Sequence, residues 1–120
     1  MLFNNHPSPF DKLIKIELPP FVLTAFVSPF RADRDQARSL VNKSDFIEIH
    51  CAADLSICEQ RDPKGLYLKA RAGEIKNFTG ISSPYEEPVS PELRIDTGLE
   101  ELDHCVDLVI LKLKEMDLIK

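Results

Sequence analysis

Phe21-Val22-Leu23-Thr24-Ala25-Phe26-Val27-Ser28-Pro29-Phe30-Arg31 is the stretch on which the fold turns. Phe21 to Val27 is nearly continuous in apolar residues and rich in strand formers. A short strand that is apolar on both faces is typically a buried parallel one. Ser28-Pro29 breaks the run, and Asp33 follows as the cap of a helix carrying Ala37, Leu40 and Val41 inward. Further along, Phe46 to Cys51 reads as a second strand and Asp54 to Gln60 as a second helix, with Leu55 and Cys58 on one side. Leu93 to Asp96 supplies a third strand. Leu99 to Leu118 reads as a helix whose inward stripe is Leu102, Cys105, Val106, Val109, Leu113 and Met116.

Strand and helix alternating in this way imply an α/β fold, a parallel sheet with flanking helices joined by right-handed crossovers. In such sheets ligands gather at the carboxyl ends of strands. That places the candidate site at Ser28 and its neighbours, at the segment after the second helix, and at Thr97-Gly98. Toward the N-terminus, residues 1 to 7 carry no periodicity. Ser8, Pro9 and Asp11 form a helix start signal leading into Phe10, Leu13, Ile14 and Leu18, until Pro19-Pro20 stops the run. The same residues also alternate as a strand would, and the capping residues favour the helix. Residues 82 to 92 hold three prolines and three glutamates and read as loop.

Between the second helix and that loop lies the most unusual segment, Arg61 to Ile81. It holds five basic side chains (Arg61, Lys64, Lys69, Arg71, Lys76) against two acids (Asp62, Glu74), in a chain of net charge -5. Three of the four glycines, Gly65, Gly73 and Gly80, fall inside it. It reads as a mobile, positively charged flap on glycine hinges, with residues 62 to 81 the most mobile long segment of the chain. Local positive charge in an acidic protein points to a small anionic ligand rather than nucleic acid.

The 120 residues make one domain, with an apolar fraction of 43% and a charged fraction of 29% that suit a globular protein. No apolar run approaches the roughly 20 residues needed to cross a bilayer, and Met1 to His6 lacks a signal-peptide pattern. A cytoplasmic location is expected, without a membrane partner. Cys51, Cys58 and Cys105 form no C-x-x-C pair, and His6, His50 and His104 share no ligand spacing. Neither a disulfide framework nor a metal site is expected from them.

Several short motifs, in order, resemble the adenylylsulfate kinase family. They are Val27-Ser28-Pro29-Phe30-Arg31 with Asp33-Arg34, Phe46-Ile47-Glu48-Ile49, and Cys58-Glu59-Gln60-Arg61-Asp62. Lys64-Gly65-Leu66-Tyr67, Ala70-Arg71-Ala72-Gly73, Phe78-Thr79-Gly80-Ile81 and Pro84-Tyr85-Glu86 continue the series. The likeness runs from about Val22 to Ile119, which makes 22–120 the kinase-like domain and 1–21 an unmatched segment.

The resemblance implies a P-loop NTPase fold and transfer of the ATP γ-phosphoryl group to the 3'-hydroxyl of adenosine 5'-phosphosulfate (APS), giving PAPS in sulfate assimilation. It assigns APS binding to Val27, Ser28, Arg31, Lys64, Asn77 and Phe78, and ATP or lid roles to Arg71 and Thr97. Phe78 would stack on the adenine, and Asn77 stands where the family commonly has glycine. Ser28 matches a position sometimes described as phosphoryl-accepting. It reads better as a strand-end group holding APS, or simply as the start of a turn, because no base flanks it. Arg31 and Arg71 either neutralise phosphate or sulfate or pair with Asp35 or Glu74. Thr97-Gly98 either borders the ATP adenine or caps the last helix.

ATP with Mg2+ is the expected cofactor, yet these kinases use a G-x-x-x-x-G-K-[ST] loop to hold it. The four glycines, Gly65, Gly73, Gly80 and Gly98, leave no such loop in these residues, and no Mg2+ ligand is identified. The alternative to an active kinase is therefore an inactive remnant that binds APS, or a regulatory module that forms a homodimer or pairs with a full-length kinase. The family's phosphate-loop strand lies between the strands matched by Phe21-Val27 and Phe46-Cys51. Leu13 to Leu18 is a poor substitute, since Lys15 and Glu17 would share one buried face. The isolated chain is accordingly expected to be poorly stable or oligomeric, without turnover.

Overall fold

A computed structural model describes residues 2–4 and 21–120. The expected helix over residues 8–18, its strand alternative and the spare strand at Leu13 to Leu18 lie outside the described residues. The described elements are β1 (Leu2–Asn4), β2 (Phe21–Leu23), α1 (Arg31–Ser39), a 3-10 turn (Lys43–Asp45), β3 (Phe46–Ile47) and β4 (Ile49–Ala52). They continue as α2 (Leu55–Arg61), α3 (Leu66–Arg71), β5 (Leu93–Asp96) and α4 (Leu102–Glu115).

The architecture is mixed α/β with a small parallel sheet. β4 and β5 pair in parallel, from Ile49 opposite Leu93 to Ala52 opposite Asp96, as the alternation of elements predicts. The other expected strand pairs differently. β2 and β3 run in the same direction but do not pair with each other, because β1 lies between them, antiparallel to both. Leu2 stands opposite Leu23 on one side and Ile47 on the other. The slot that the resemblance assigns to the phosphate-loop strand is thus occupied by the first residues of the chain, running the opposite way.

This arrangement corrects the reading of Phe21 to Val27 as a strand buried on both faces. Only three residues are strand, and among the described residues they pair on one side alone. Leu23, Phe26 and Val27 are consequently 71%, 77% and 66% exposed.

The expected 46–51 strand is also divided. Glu48 interrupts it, so that β3 serves the antiparallel sheet and β4 the parallel one. Phe46 and Ile47 are the two large side chains buried almost completely. Ile47 and Leu113 of α4 form the core, with Phe21, Ile49, Val109 and Met116 packed against it.

Helix boundaries shift for identifiable reasons. α1 starts at Arg31 rather than after Asp33, and its first N–H is taken by the Glu86 carboxylate at 2.8 Å. A carboxylate there satisfies an orphan donor and suits the helix dipole. Its inward positions are Arg34 and the half-buried Ala37 and Arg38; of the expected inward residues beyond its end, Val41 is half-buried and Leu40 exposed. In α4, Cys105, Val109, Leu113 and Met116 face inward as the period predicts, but Leu102 and Val106 are exposed.

The flap read from its glycines and charges holds a helix of its own, α3. Leu66-Tyr67-Leu68-Lys69-Ala70-Arg71 is built mostly from good helix formers. The two oxygens of Asp62 accept the backbone N–H groups of Tyr67 and Leu68, each at 3.0 Å. Ala70 is buried.

Candidate functional site

β2 and β3 share a direction, and β3 leads through Glu48 into β4, parallel to β5. The carboxyl ends of β2, β4 and β5 therefore open toward one side, where Ser28, the α2–α3 segment and Thr97 all leave the sheets.

The first part of the site is the corner made by Val27–Arg31. Ser28 has a φ of 41°, one of three non-glycine residues in the left-handed range of φ among the described residues, beside Asn77 and Asp117. An L residue adopts that region at some cost and persists there only when its surroundings insist. Here Arg34, 7% exposed, provides the insistence. One guanidinium nitrogen donates to the Ser28 carbonyl, and a second donates to the Glu86 carbonyl at 2.5 Å. Its Nε pairs with Glu48 Oε1 at 2.9 Å, and the Tyr85 ring lies 5.9 Å from the guanidinium carbon.

Glu86 in turn donates its N–H to the Pro29 carbonyl at 2.8 Å. Arg31 Nε donates to the Glu87 carbonyl, also at 2.8 Å. The anticipated partners Asp35 and Glu74 are not those recorded for Arg31. Val27 carries its side chain in the open.

Behind this corner a second arginine repeats the theme. Arg38 donates to both oxygens of Glu92, at 2.6 and 2.9 Å, and to Glu48 Oε2 at 3.3 Å. Its guanidinium carbon sits 4.5 Å from the centre of the Phe46 ring. Glu92 also receives the Glu48 backbone N–H at 2.6 Å. Burial pushes the Glu92 carboxyl up, but the Arg38 and Glu48 hydrogen bonds outweigh it and hold it below the usual range. A cleft of about 250 Å³ lies along this line, bounded by Arg31, Arg34, Arg38, Glu48 and Pro88.

The second part is the segment from Asp62 to Ile81, the one that the resemblance marks as a lid. Gly65 at φ 66° opens α3 after the exposed Lys64. Asn77 has φ 54°, and Asn is among the few side-chain-bearing residues that enter this region readily. The departure from glycine at this place is therefore compatible with a glycine-like backbone. The Phe78 N–H donates to Ser82 Oγ at 2.9 Å, and its carbonyl accepts from Ile81, Ser82 and Ser83. The Phe78 ring makes a T-shaped contact with Tyr67, centroids 5.0 Å apart. Burial, and then the neighbouring Cys58, raise the Tyr67 hydroxyl above its ordinary pKa. Arg71 leans back along the lid to Glu59, 2.6 Å away, rather than to Asp35 or Glu74.

Thr97 closes the far side. Its hydroxyl donates to the Ala52 carbonyl at 2.9 Å, tying β5 to β4, and its own carbonyl accepts from Arg61 at 2.8 Å. It does not cap α4, whose cap residue is Glu101. Beneath lies a cleft of about 160 Å³ lined in part by His50, Asp54, Tyr85, Arg94 and Asp96. His50 lies in contact with Tyr85, centroids 6.1 Å apart, and burial lowers its pKa.

The structure thus gathers Val27, Ser28 and Arg31 in one corner and places Lys64, Asn77 and Phe78 along one lid. Arg71 and Thr97 are engaged in internal contacts. Sequence reasoning overlooked Arg34 and Glu48 as working residues. The signal was present in Asp33-Arg34 beside the S-P-F-R run, but a charged residue at an inward helical position reads as surface until its partner is known. Among the described residues no group of three or more His, Cys, Asp or Glu stands close enough to hold a metal ion. No described helix is long and apolar enough to cross a membrane.

A family model described as adenylylsulphate kinase matches residues 16–96. An adenylyl-sulfate kinase of Prochlorococcus marinus is 70% identical over 99 residues, covering 82% of this chain and 49% of that protein. A probable adenylyl-sulfate kinase of Bacillus subtilis is 56% identical over 94 residues, with 78% and 48% covered. Among solved structures, Mycobacterium tuberculosis APS kinase CysC in complex with AMPPNP and APS superposes with a TM-score of 0.69 at 44% identity. That match covers 74% of this chain and 52% of the other. The chain spans about half the length of the curated relatives it matches.

Proposed function

The chain belongs to the adenylylsulfate kinase family, and from that premise we propose that it carries the APS-binding and lid half of such a kinase. In the complete reaction, APS held here accepts the ATP γ-phosphoryl group at its ribose 3'-hydroxyl, in sulfate assimilation and in the cytoplasm. One observation carries the reading. Two of the three left-handed non-glycine residues, Ser28 and Asn77, sit in the two motifs that the family resemblance assigns to APS. Backbone strain collects at ligand sites because there it shapes the site.

The division of labour follows from the side chains. The Val27–Ser28 backbone and the Ser28 hydroxyl hold the ligand at the strand end. Lys64, exposed beside a flexible glycine, meets the phosphosulfate charge, and the Phe78 ring, oriented by Tyr67, stacks on the adenine. Arg31 presents guanidinium N–H groups to an anion while its Nε stays anchored on Glu87. The M. tuberculosis relative was solved with APS and an ATP analogue bound, which supports this choice of ligands.

Titration calorimetry with APS tests the reading. Saturable binding is expected, with Phe78→Ala weakening it about tenfold, the scale of one base–aromatic stack, and Lys64→Ala weakening it in a salt-dependent way. Absence of saturable binding would count against it.

A second reading, a binding or kinase-pairing module without turnover of its own, is favoured by the glycine positions. None of the four can build a G-x-x-x-x-G-K-[ST] loop within these residues. Phosphoryl transfer rests on positioning and charge neutralisation of the γ-phosphate, and these residues offer no substitute. A coupled assay of the 120-residue chain with ATP, magnesium and APS is expected to show no turnover. Rates of about 1 to 100 per second, ordinary for kinases, would remove the module reading. Light scattering of the same preparation would show whether the chain pairs with itself.

A further inference from the structure

Arg34 belongs to none of the residues assigned to substrate, yet among the described residues it touches every segment that frames the corner. It reaches the Ser28 and Glu86 carbonyls, the Glu48 carboxylate and the face of Tyr85. Two of these are backbone acceptors that no exposed lysine or solvent molecule would hold in a fixed relation. Two planar N–H directions spanning two carbonyls is a task suited to a guanidinium and poorly suited to an ammonium. The Ser28 carbonyl belongs to the residue whose φ of 41° disfavours any side chain.

We propose that Arg34 is the positioning residue of the substrate corner. Its bonds to the Ser28 and Glu86 carbonyls hold Ser28 in its left-handed conformation and lock the Pro84-Tyr85-Glu86 segment onto the Ser28-Pro29-Phe30-Arg31 segment.

Two hydrogen bonds donated by backbone amides report this lock without any ligand. The Arg31 N–H donates to Glu86 Oε2 and the Glu86 N–H to the Pro29 carbonyl, both at 2.8 Å. Each joins the same two segments and is independent of the Arg34 side chain itself. The role at Ser28 matters for catalysis only through the reading of this corner as part of the APS site, on which that consequence rests.

The test is amide hydrogen exchange on the whole chain, with α4 as the gauge of global stability. Arg34→Lys keeps a cation beside Glu48 but cannot span both carbonyls. It should speed exchange at the Arg31 and Glu86 amides about tenfold beyond any change in α4, the equivalent of one lost hydrogen bond. Adding Ser28→Gly to Arg34→Lys should restore most of the protection at Arg31, because glycine enters the left-handed region freely. With Arg34 intact, Ser28→Gly alone should leave both amides protected. Glu48→Gln removes the ion pair but not the carbonyl bonds, so it should lower protection evenly along the chain.

Loss spread evenly in Arg34→Lys, no rescue by glycine, or the selective pattern appearing in Glu48→Gln would each overturn the assignment. APS titration runs alongside. Arg34→Lys should weaken APS about tenfold, whereas the double variant, which also lacks the Ser28 hydroxyl, is judged by its amides alone. If the unsubstituted chain fails to bind APS, the functional reading falls, and the amide pattern still decides whether Arg34 sets the corner.

Discussion

The Val27–Arg31 corner and the lid are both built around a residue in a left-handed conformation, but they are held by opposite means. At the corner, the Arg31, Arg34 and Arg38 side chains reach Glu86, Glu87 and Glu92 across 52 to 56 positions of chain. In the lid, Asp62 holds Tyr67 and Leu68 from five and six positions away, Ser82 holds Phe78 from four, and Arg71 holds Glu59 from twelve. The corner thus requires the fold to be complete, whereas the lid is largely made by its own neighbours. A site divided in this way can keep its lid when distant packing changes, but not its corner.

The largest effect that would break this contrast is at Arg34. Arg34→Ala leaves the mostly buried Glu48 without that partner and two carbonyls without a donor. Losing one member of a buried pair costs about 3 kcal/mol, read as a shift of the urea midpoint at constant slope. A loss below about 1 kcal/mol, the scale of a surface pair, would mean the corner is held no more firmly than the lid.

Acid should separate the two regions next. Glu92 is held below the ordinary carboxylate value of 4.5 despite a desolvation that works the other way. A depressed folded pKa gives stability that is complete above the unfolded value and is lost as pH falls through the folded one. His50, lowered mainly by burial, adds loss in the same direction below its ordinary 6.5, because only the unfolded chain takes up that proton. Urea midpoints from pH 7 down to pH 3 should therefore fall, and Glu92→Gln should flatten the lower part of that curve. Glu59 of α2 is also lowered, first by its hydrogen bond from Arg71, but that partner guanidinium is 55% exposed. Added salt should erase its share and leave that of Glu92 mostly intact.

Smaller and local effects should sharpen the lid side. Asp62→Ala removes the acceptor for two N–H groups and should cost about 1 kcal/mol, the usual worth of a helix cap. Amide exchange at Tyr67 and Leu68 should rise more than exchange at the corner. Last, Asn77→Gly should be neutral or slightly stabilising, whereas Asn77→Ala should cost about 1 kcal/mol for a left-handed alanine. Thermal melts of the two variants side by side check this. Equal melting temperatures would mean that the φ of Asn77 is not retained in solution.

Local chemistry made part of this molecule legible beforehand. The β4 and β5 segments announced themselves by apolar runs between turn signals, and the inward stripe from Cys105 to Met116 by its helical period. The lid showed its glycines and charges, although charge was given more weight than the helix propensity of Leu66 to Arg71. The corner was legible only as a motif. Arg34 and Arg38 occupy inward positions of α1, and a pattern that counts apolar residues assigns that face to Leu40 instead.

What the sequence determined alone, then, was the kind of element at most places and the membership carried by the motifs. Each of these depends on residues within a few positions of one another. Tertiary structure alone decided that Leu2–Asn4 enters between β2 and β3, that Glu48 divides one expected strand between two sheets, and that Glu86 rather than Asp33 meets the start of α1. Those outcomes join partners some 20 to 55 positions apart. Which distant partner wins depends on the closure of the chain and on competing pairings, and no local pattern encodes that.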